Sequence, residues 1–233
     1  GLDISWIFND NVYGNIDWSV PINVPLMELY KARALQLRQQ YDYLTLYYSG
    51  GADSTTVLHS FIDNNIFIDE ILMWNAEPYD KQTNNKDYSN RNYNSEVKYA
   101  AMVHLDKVKN SLDPRTKITL KDFAKTGLET LSKQDNWYEN VPLGLTLSIS
   151  GILRQVSQQN DAHFLRQQDT GKSTCYIMGI DKPLVCKKGD DYYAYFQDNS
   201  AYHVMSPVDF ASNNDQVTTE FFYWTPDFPE IVV

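Results

Sequence analysis

A chain of 233 residues, 42% hydrophobic and 21% charged, has room for one globular domain with a modest appendage and for a substantial core. Its formal net charge of -10, from 30 acidic against 20 basic residues, repels phosphate backbones at long range and argues against a large nucleic-acid footprint. A small anionic ligand stays compatible with that charge, because local backbone N–H groups hold a nucleotide whatever the global balance.

The two cysteines, Cys175 and Cys186, form neither a disulfide framework nor a zinc pattern, and point to a reducing, cytoplasmic setting. No apolar run is long enough to span a bilayer, and no basic segment followed by an apolar stretch marks a signal peptide. Gly1 in place of Met suggests a processed start. The apolar end Ile231-Val232-Val233 suggests that the natural chain continues, and a homo-oligomer or an additional C-terminal part is an expected partner.

Residues 1–25 carry Trp6, Phe8, Trp18, Pro21 and Pro25 and read as an irregular arm. In 26–40, Leu26, Leu29, Tyr30, Ala34 and Leu37 recur at helical spacing, which predicts an amphipathic helix. Tyr43 to Tyr48 reads as a strand, followed by a glycine loop. Thr55 to Asn64 reads as a helix ended by Asn64-Asn65, and Ile71 to Trp74 as a second strand. Strand, loop, helix and strand within this length make a βαβ unit, which requires a parallel sheet.

Residues 79–93 are polar and rich in Asn and Asp and read as a loop containing Lys86 and Arg91. Glu96 to Asn110 reads as a helix whose apolar side is Val97, Ala100, Ala101, Val103, His104 and Val108. Lys117 to Leu120 is a third strand, 121–165 a helix-rich insertion with Arg154, and Thr174 to Gly179 a fourth strand that ends at Ile180-Asp181-Lys182-Pro183. Residues 184–233 are rich in Tyr and Phe, with turn signals at Gly189-Asp190, Asp198-Asn199 and Asn213-Asn214, and read as a hairpin plus a capping segment. The expected division is an N-terminal arm and helix over 1–40, an α/β domain over 41–183 with its insertion at about 121–165, and a β-rich appendage over 184–233.

The chemistry concentrates at Ser49-Gly50-Gly51-Ala52-Asp53-Ser54. A strand feeding a glycine-rich turn that opens a helix suits an anion. Glycines allow close backbone approach, the amides of the first helical turn point at the ligand, and the helix dipole favours negative charge. Ser49, Ser54 and Thr55 add hydroxyl donors. Asp53 is the odd residue in such a site: it either caps the helix or holds a Mg²⁺ that bridges phosphates.

This loop matches the SGGxDS signature and so resembles the PP-loop ATP pyrophosphatases, a superfamily that includes NAD and GMP synthetases, asparagine synthetases, tRNA-modifying enzymes and sulfate-assimilation enzymes. The resemblance covers the six-residue motif and its βαβ context at 43–76, extended by the strand at 174–179. It implies a Rossmann-like (HUP-type) open sheet of five parallel strands with helices on both faces. It also implies ATP cleaved to AMP and pyrophosphate, with Mg²⁺, so that a carboxylate, carbonyl or oxo group of a small-molecule substrate is adenylated for nucleophilic attack. On this resemblance Ser49, Gly50, Gly51, Ala52, Asp53, Ser54 and Thr55 bind the nucleotide and Asp53 binds the metal. Asp181 is a second candidate metal ligand, and Lys182 a candidate for neutralising developing phosphate charge. Trp74, at the end of the second strand, either flanks the adenine or is a core residue.

Other features carry less. Gly171-Lys172-Ser173-Thr174 looks like the end of a Walker A loop, but Arg166 stands where that motif needs glycine. His59, His104, His163 and His203 show no metal spacing, and His59 and His104 read as core or interface histidines. Cys175 reads as a buried strand residue. The aromatic run 220–226 is either a stacking lid or a packed strand. No N-terminal catalytic cysteine, multi-cysteine zinc site or Glu-Cys-Gly-Leu-His tail points to one branch of the superfamily. The expected activity is that of a ligase or transferase working through adenylation. The alternative is a nucleotide-binding sensor or structural subunit without turnover.

Overall fold

A computed structural model of the chain describes residues 14, 16, 17, 19–75, 96–133, 171–180, 184–195, 217–225 and 227–232. Helix α1 (Leu26–Gln40) has the bounds its periodicity predicts, with Glu28 in the first turn and Arg38 in the last, each complementing the helix dipole. It buries Leu29, Tyr30, Arg33, Ala34 and Leu37. Leu26, expected on that stripe, is exposed, as is Met27 beside it in the first turn.

Strand β1 (Tyr43–Tyr47) leads to α2 (Ala52–Ile62) and β2 (Glu70–Asn75). Helix α2 starts three residues before the sequence-based estimate, so Asp53 and Ser54 are helical. It ends at Ile62, two residues before the expected Asn64; in the turn that follows, Asn65 takes the left-handed conformation, φ 56°, and Ile66 N–H donates to Phe61 O at 2.9 Å. The next helix is not uniform. A π-helical turn (Val97–Ala101) precedes α3 (Met102–Val108), and a 3-10 turn (Lys109–Ser111) closes it. Its buried stripe is Val97, Ala101 and Leu105, spaced by four, and Val103, two residues away around the helix, turns to solvent.

Strand β3 (Lys117–Asp122), helix α4 (Phe123–Leu131), strand β4 (Thr174–Met178), a hairpin of β5 (Leu184–Lys188) and β6 (Asp191–Tyr195), strand β7 (Val217–Phe221) and a 3-10 turn (Pro229–Val232) complete the described elements. The hairpin turns at Gly189, φ 67°, as its turn signal predicts. The expected appendage 184–233 is divided: among the described residues β5 and β6 pair with each other, while β7 belongs to the main sheet.

Among the described residues that sheet has five strands in the order β3-β2-β1-β4-β7, every neighbouring pair parallel. The fold is therefore α/β with a parallel sheet. The chain steps from β1 outward through β2 to β3, then returns to the other side of β1 with β4 and β7. The strand order thus reverses between β1 and β4. One face carries Leu44 and Leu46 of β1, Ile71 and Met73 of β2, and Cys175 and Ile177 of β4, all buried, as both-sided covering of parallel strands requires. Helices α1 and α2, the 97–105 stripe, Phe222, Tyr223 and Ile231 join this cluster. The opposite face carries Leu72, Tyr176 and Val217, with Tyr47 and Trp74 packed against them. Among the described residues no helix is long and apolar enough to cross a membrane.

Candidate functional site

The glycine loop leaves the carboxyl end of β1, beside β4, at the point where strand order reverses. Open α/β sheets leave a crevice there, because the connections from the two central strands run in opposite directions. Tyr48 N–H donates to Leu72 O at 2.9 Å, which carries sheet pairing one residue past β1 before the chain turns. Gly50 makes that turn at φ 79°, a conformation costly for other residues. A side chain there would also have no space. A Cβ on Gly50 would overlap the Ala101 amide nitrogen and lie 2.5 Å from its Cα and 2.8 Å from the Ala100 carbonyl carbon. The backbone facing it belongs to the π-helical turn, where Met102 N–H reaches back to Val97 O.

Gly51 differs. It is the N-cap of α2, with φ -70° and ψ 168°, an extended conformation open to any residue, and makes no side-chain cap. A Cβ there would meet only Ser49 Oγ, at 3.3 Å. Gly51 is exposed, as are Ser49 and Ala52. A side chain at this position needs no change of φ, only a small displacement of the Ser49 hydroxyl.

Thr55 N–H donates to Gly51 O at 3.0 Å and makes the first rung of the helix. The amides of Ala52, Asp53 and Ser54 therefore precede the helical ladder and lie at the positive end of the dipole. The serine hydroxyls shape the turn. Ser49 Oγ accepts from Gly51 N–H at 3.2 Å and lies 3.2 Å from Ser54 Oγ. Ser54 Oγ accepts from Ser49 N–H and donates to Gly51 O, both at 3.3 Å.

Because Gly51 is the cap, Asp53 is not: the capping alternative falls, and the carboxylate sits within the first turn. Its main-chain oxygen accepts from Tyr223 Oη at 2.8 Å, so the segment after β7 holds the start of α2 in place. Its negative charge reaches both neighbouring phenols. Burial, and after it Asp53, raises Tyr30; burial, then Tyr30, then Asp53 raises Tyr223. The other side of this helical turn is fixed by Gly179, just past β4, where a Cβ would lie 3.0 Å from both Ser54 Cα and Val57 Cγ2.

Trp74 is half-buried against Tyr47, ring centroids 6.3 Å apart, and Tyr47 stacks on Tyr176 at 5.5 Å and 21°. These rings form an aromatic strip on the second sheet face, from the middle of β4 to the ends of β1 and β2. Asp181 and Lys182 lie outside the described residues, as do Lys86, Arg91, Arg154, Arg166, His163 and His203 and the loop 79–93. Cys175 is buried; burial, then the Glu220 carboxylate, pushes its thiol well above the ordinary value, which makes it unreactive. Of the aromatic run 220–226, Glu220 and Phe221 belong to β7 and Phe222 and Tyr223 are core residues, as the packed-strand alternative expects.

His59 and His104, expected to be separate core or interface histidines, meet. Tyr48 Oη lies 3.2 Å from Thr55 Oγ1 and 2.7 Å from His104 Nδ1. His104 Nε2 lies 3.1 Å from His59 Nε2, and His59 Nδ1 lies 3.0 and 3.1 Å from the Asp63 carboxylate oxygens. Forty-five positions separate the two histidines, and no local spacing signals the contact. Among the described residues no cluster of three or more His, Cys, Asp or Glu side chains suits a metal ion.

Comparison with known proteins finds no family model that matches the chain and no curated protein that matches it.

Proposed function

We propose that the loop Ser49–Ser54 binds the phosphates of ATP, and that the protein is an ATP-dependent adenylating enzyme of the PP-loop kind. The observation that carries this reading is the loop's placement: an exposed turn with a cap that needs no side chain, opening a helix at the crossover between β1 and β4. The strand order, two crossovers outward on one side of β1 and β4 with β7 on the other, supports a Rossmann-like sheet of the HUP type.

In this reading the amides of Ala52, Asp53 and Ser54 receive the β and γ phosphates, with Ser49, Gly50, Gly51 and Thr55 around them. The residues present suit Mg²⁺, which binds through one or two carboxylates together with substrate phosphates. Asp53 would hold it, with Asp181 as a second ligand, and the ion would supply charge neutralisation on the departing pyrophosphate. A carboxylate, carbonyl or oxo oxygen of the small-molecule substrate attacks the α phosphorus, the α–β bridging bond breaks, and pyrophosphate leaves with the electron pair. Lys182 would stabilise the developing charge, and Trp74, with Tyr47 and Tyr176, offers aromatic surface for a base.

The test is exchange of labelled pyrophosphate into ATP, across panels of carboxylates and carbonyl compounds. Exchange is expected with some acceptor, and Asp53→Asn should abolish it with the thermal midpoint unchanged. Exchange at the native rate in that variant would remove Asp53 from the metal site. ATP binding with neither exchange nor pyrophosphate release under any acceptor would favour the sensor or structural-subunit alternative.

A further inference from the structure

The contact between Tyr48, His104 and His59 has a direction that hydrogen-bond chemistry assigns. A carboxylate accepts and does not donate, so the hydrogen of His59 faces Asp63 from Nδ1. With both rings neutral, His59 Nε2 is then bare. Two bare nitrogens would repel at 3.1 Å, so His104 carries its hydrogen on Nε2 and donates. His104 Nδ1 is therefore an acceptor, Tyr48 donates to it, and Tyr48 Oη accepts the Thr55 hydroxyl hydrogen. The chain runs Thr55 to Tyr48 to His104 to His59 to Asp63, and the Thr55 hydrogen is committed away from the loop.

Adding a proton reverses part of it. Only one hydrogen fits between the two Nε2 atoms, so the sole vacant position on either ring is His104 Nδ1. Once protonated, that nitrogen donates to Tyr48 Oη. Tyr48 then turns its own hydrogen to Thr55 Oγ1, and the Thr55 hydrogen is freed from Tyr48.

We propose that an anion bound at the glycine loop takes up a proton at His104, with Tyr48 and Thr55 transmitting the coupling. This rests on the reading of the loop as a phosphate site. Thr55, four residues past the cap, presents a donor to the anion only when the pair is charged, and the added positive charge favours the anion further. By reciprocity, the anion favours the proton. The groups that face the pair among the described residues are Asp63 and Thr55 of α2, Tyr48 at the end of β1, and Lys107 of α3. Burial, then His59, then Lys107 holds His104 below the ordinary histidine value, so the uncharged arrangement prevails near neutral pH without ligand.

Calorimetric titration with inorganic pyrophosphate, in two buffers of different ionisation enthalpy near pH 7, measures protons taken up per anion bound. Tyr48→Phe keeps the buried ring and cuts the relay; His104→Gln removes the titrating group. Subtracting a variant's uptake from the wild type's cancels protonation of the pyrophosphate itself. The wild type should take up more than either variant, by up to about one proton. Its affinity should also fall more steeply as pH rises, by up to about tenfold per unit. Equal uptake in all three proteins would overturn the coupling and leave the phosphate site standing. No pyrophosphate binding by the wild type would overturn both. Imidazole nitrogen shifts give an arm that needs no ligand: neutral His104 must carry its hydrogen on Nε2 and gain the second on Nδ1, and the opposite tautomer would sink the proposal.

Discussion

Two adjacent glycines at the loop answer to different constraints. Gly50 is held by its left-handed backbone and by the Ala100–Ala101 backbone against its α carbon; Gly51 has an ordinary φ, and a Cβ there would press only on the Ser49 hydroxyl, at 3.3 Å. Gly50→Ala should therefore destabilise the fold by about 3 kcal/mol or more, adding left-handed strain to displacement of a packed turn. Gly51→Val should lower the urea midpoint by much less than Gly50→Ala, since it displaces only the Ser49 hydroxyl and gives up a glycine cap, and should lose ATP binding by calorimetry, because the side chain projects where, in the proposed reading, a phosphate meets the backbone. Unchanged ATP affinity in a folded Gly51→Val protein would remove the loop as the site. The doublet is visible in the sequence, but both residues look alike there. Only the neighbour supplied by the π-helical turn, about fifty positions away, tells them apart.

Among the elements, α1 and β7 lie at opposite ends of the described chain and are joined by a buried ion pair. Arg33 Nη2 lies 2.8 Å from Glu220 Oε2; Tyr41 Oη donates to the other carboxylate oxygen at 2.7 Å, and Arg33 Nη1 donates to Gln36 Oε1 at 2.7 Å. The Arg33 side chain is 1% exposed. Removing one member of such a pair strands the other charge without water, so Glu220→Ala should cost about 3 kcal/mol. The check is a lower denaturant midpoint, smaller when Arg33 is replaced by methionine in the same protein, since that change removes the stranded charge. The sequence shows α1 as an amphipathic helix but gives no reason for an arginine on its buried stripe; the reason is Glu220, 187 positions away. The aromatic run after Glu220 is illegible for a similar cause. A parallel edge strand has no hairpin partner in sequence, so its pairing with β4 leaves no local mark.

Across the molecule, histidine charge links stability to pH. The folded state holds His104 below its ordinary value, chiefly by burial, so between the two values the unfolded chain binds more protons. Stability is therefore greatest above the ordinary histidine value, about 6.5, and falls as pH drops through it toward the folded value. Urea midpoints at pH 7.5 and 5.5 should show a larger acid loss in the wild type than in His104→Gln. Equal losses in the two proteins would mean that His104 does not carry this part of the acid response. This dependence opposes the proposed proton uptake: acid destabilises the empty protein, while an anion at the loop recovers stability by favouring the charged form.

The sequence by itself determined the α/β class with a parallel sheet, the first four strands of that sheet, the start and end of α1, and the loop that opens α2. These are local properties: helical and alternating periodicities, glycine at a turn, asparagine at a helix end. The tertiary structure alone decided the start of α2 at Ala52, which removed Asp53 as its cap, and the place of β7 in the sheet. It alone decided the contact of His59 with His104, because two helices packed on one sheet face bring together side chains whose sequence separation carries no periodic signal.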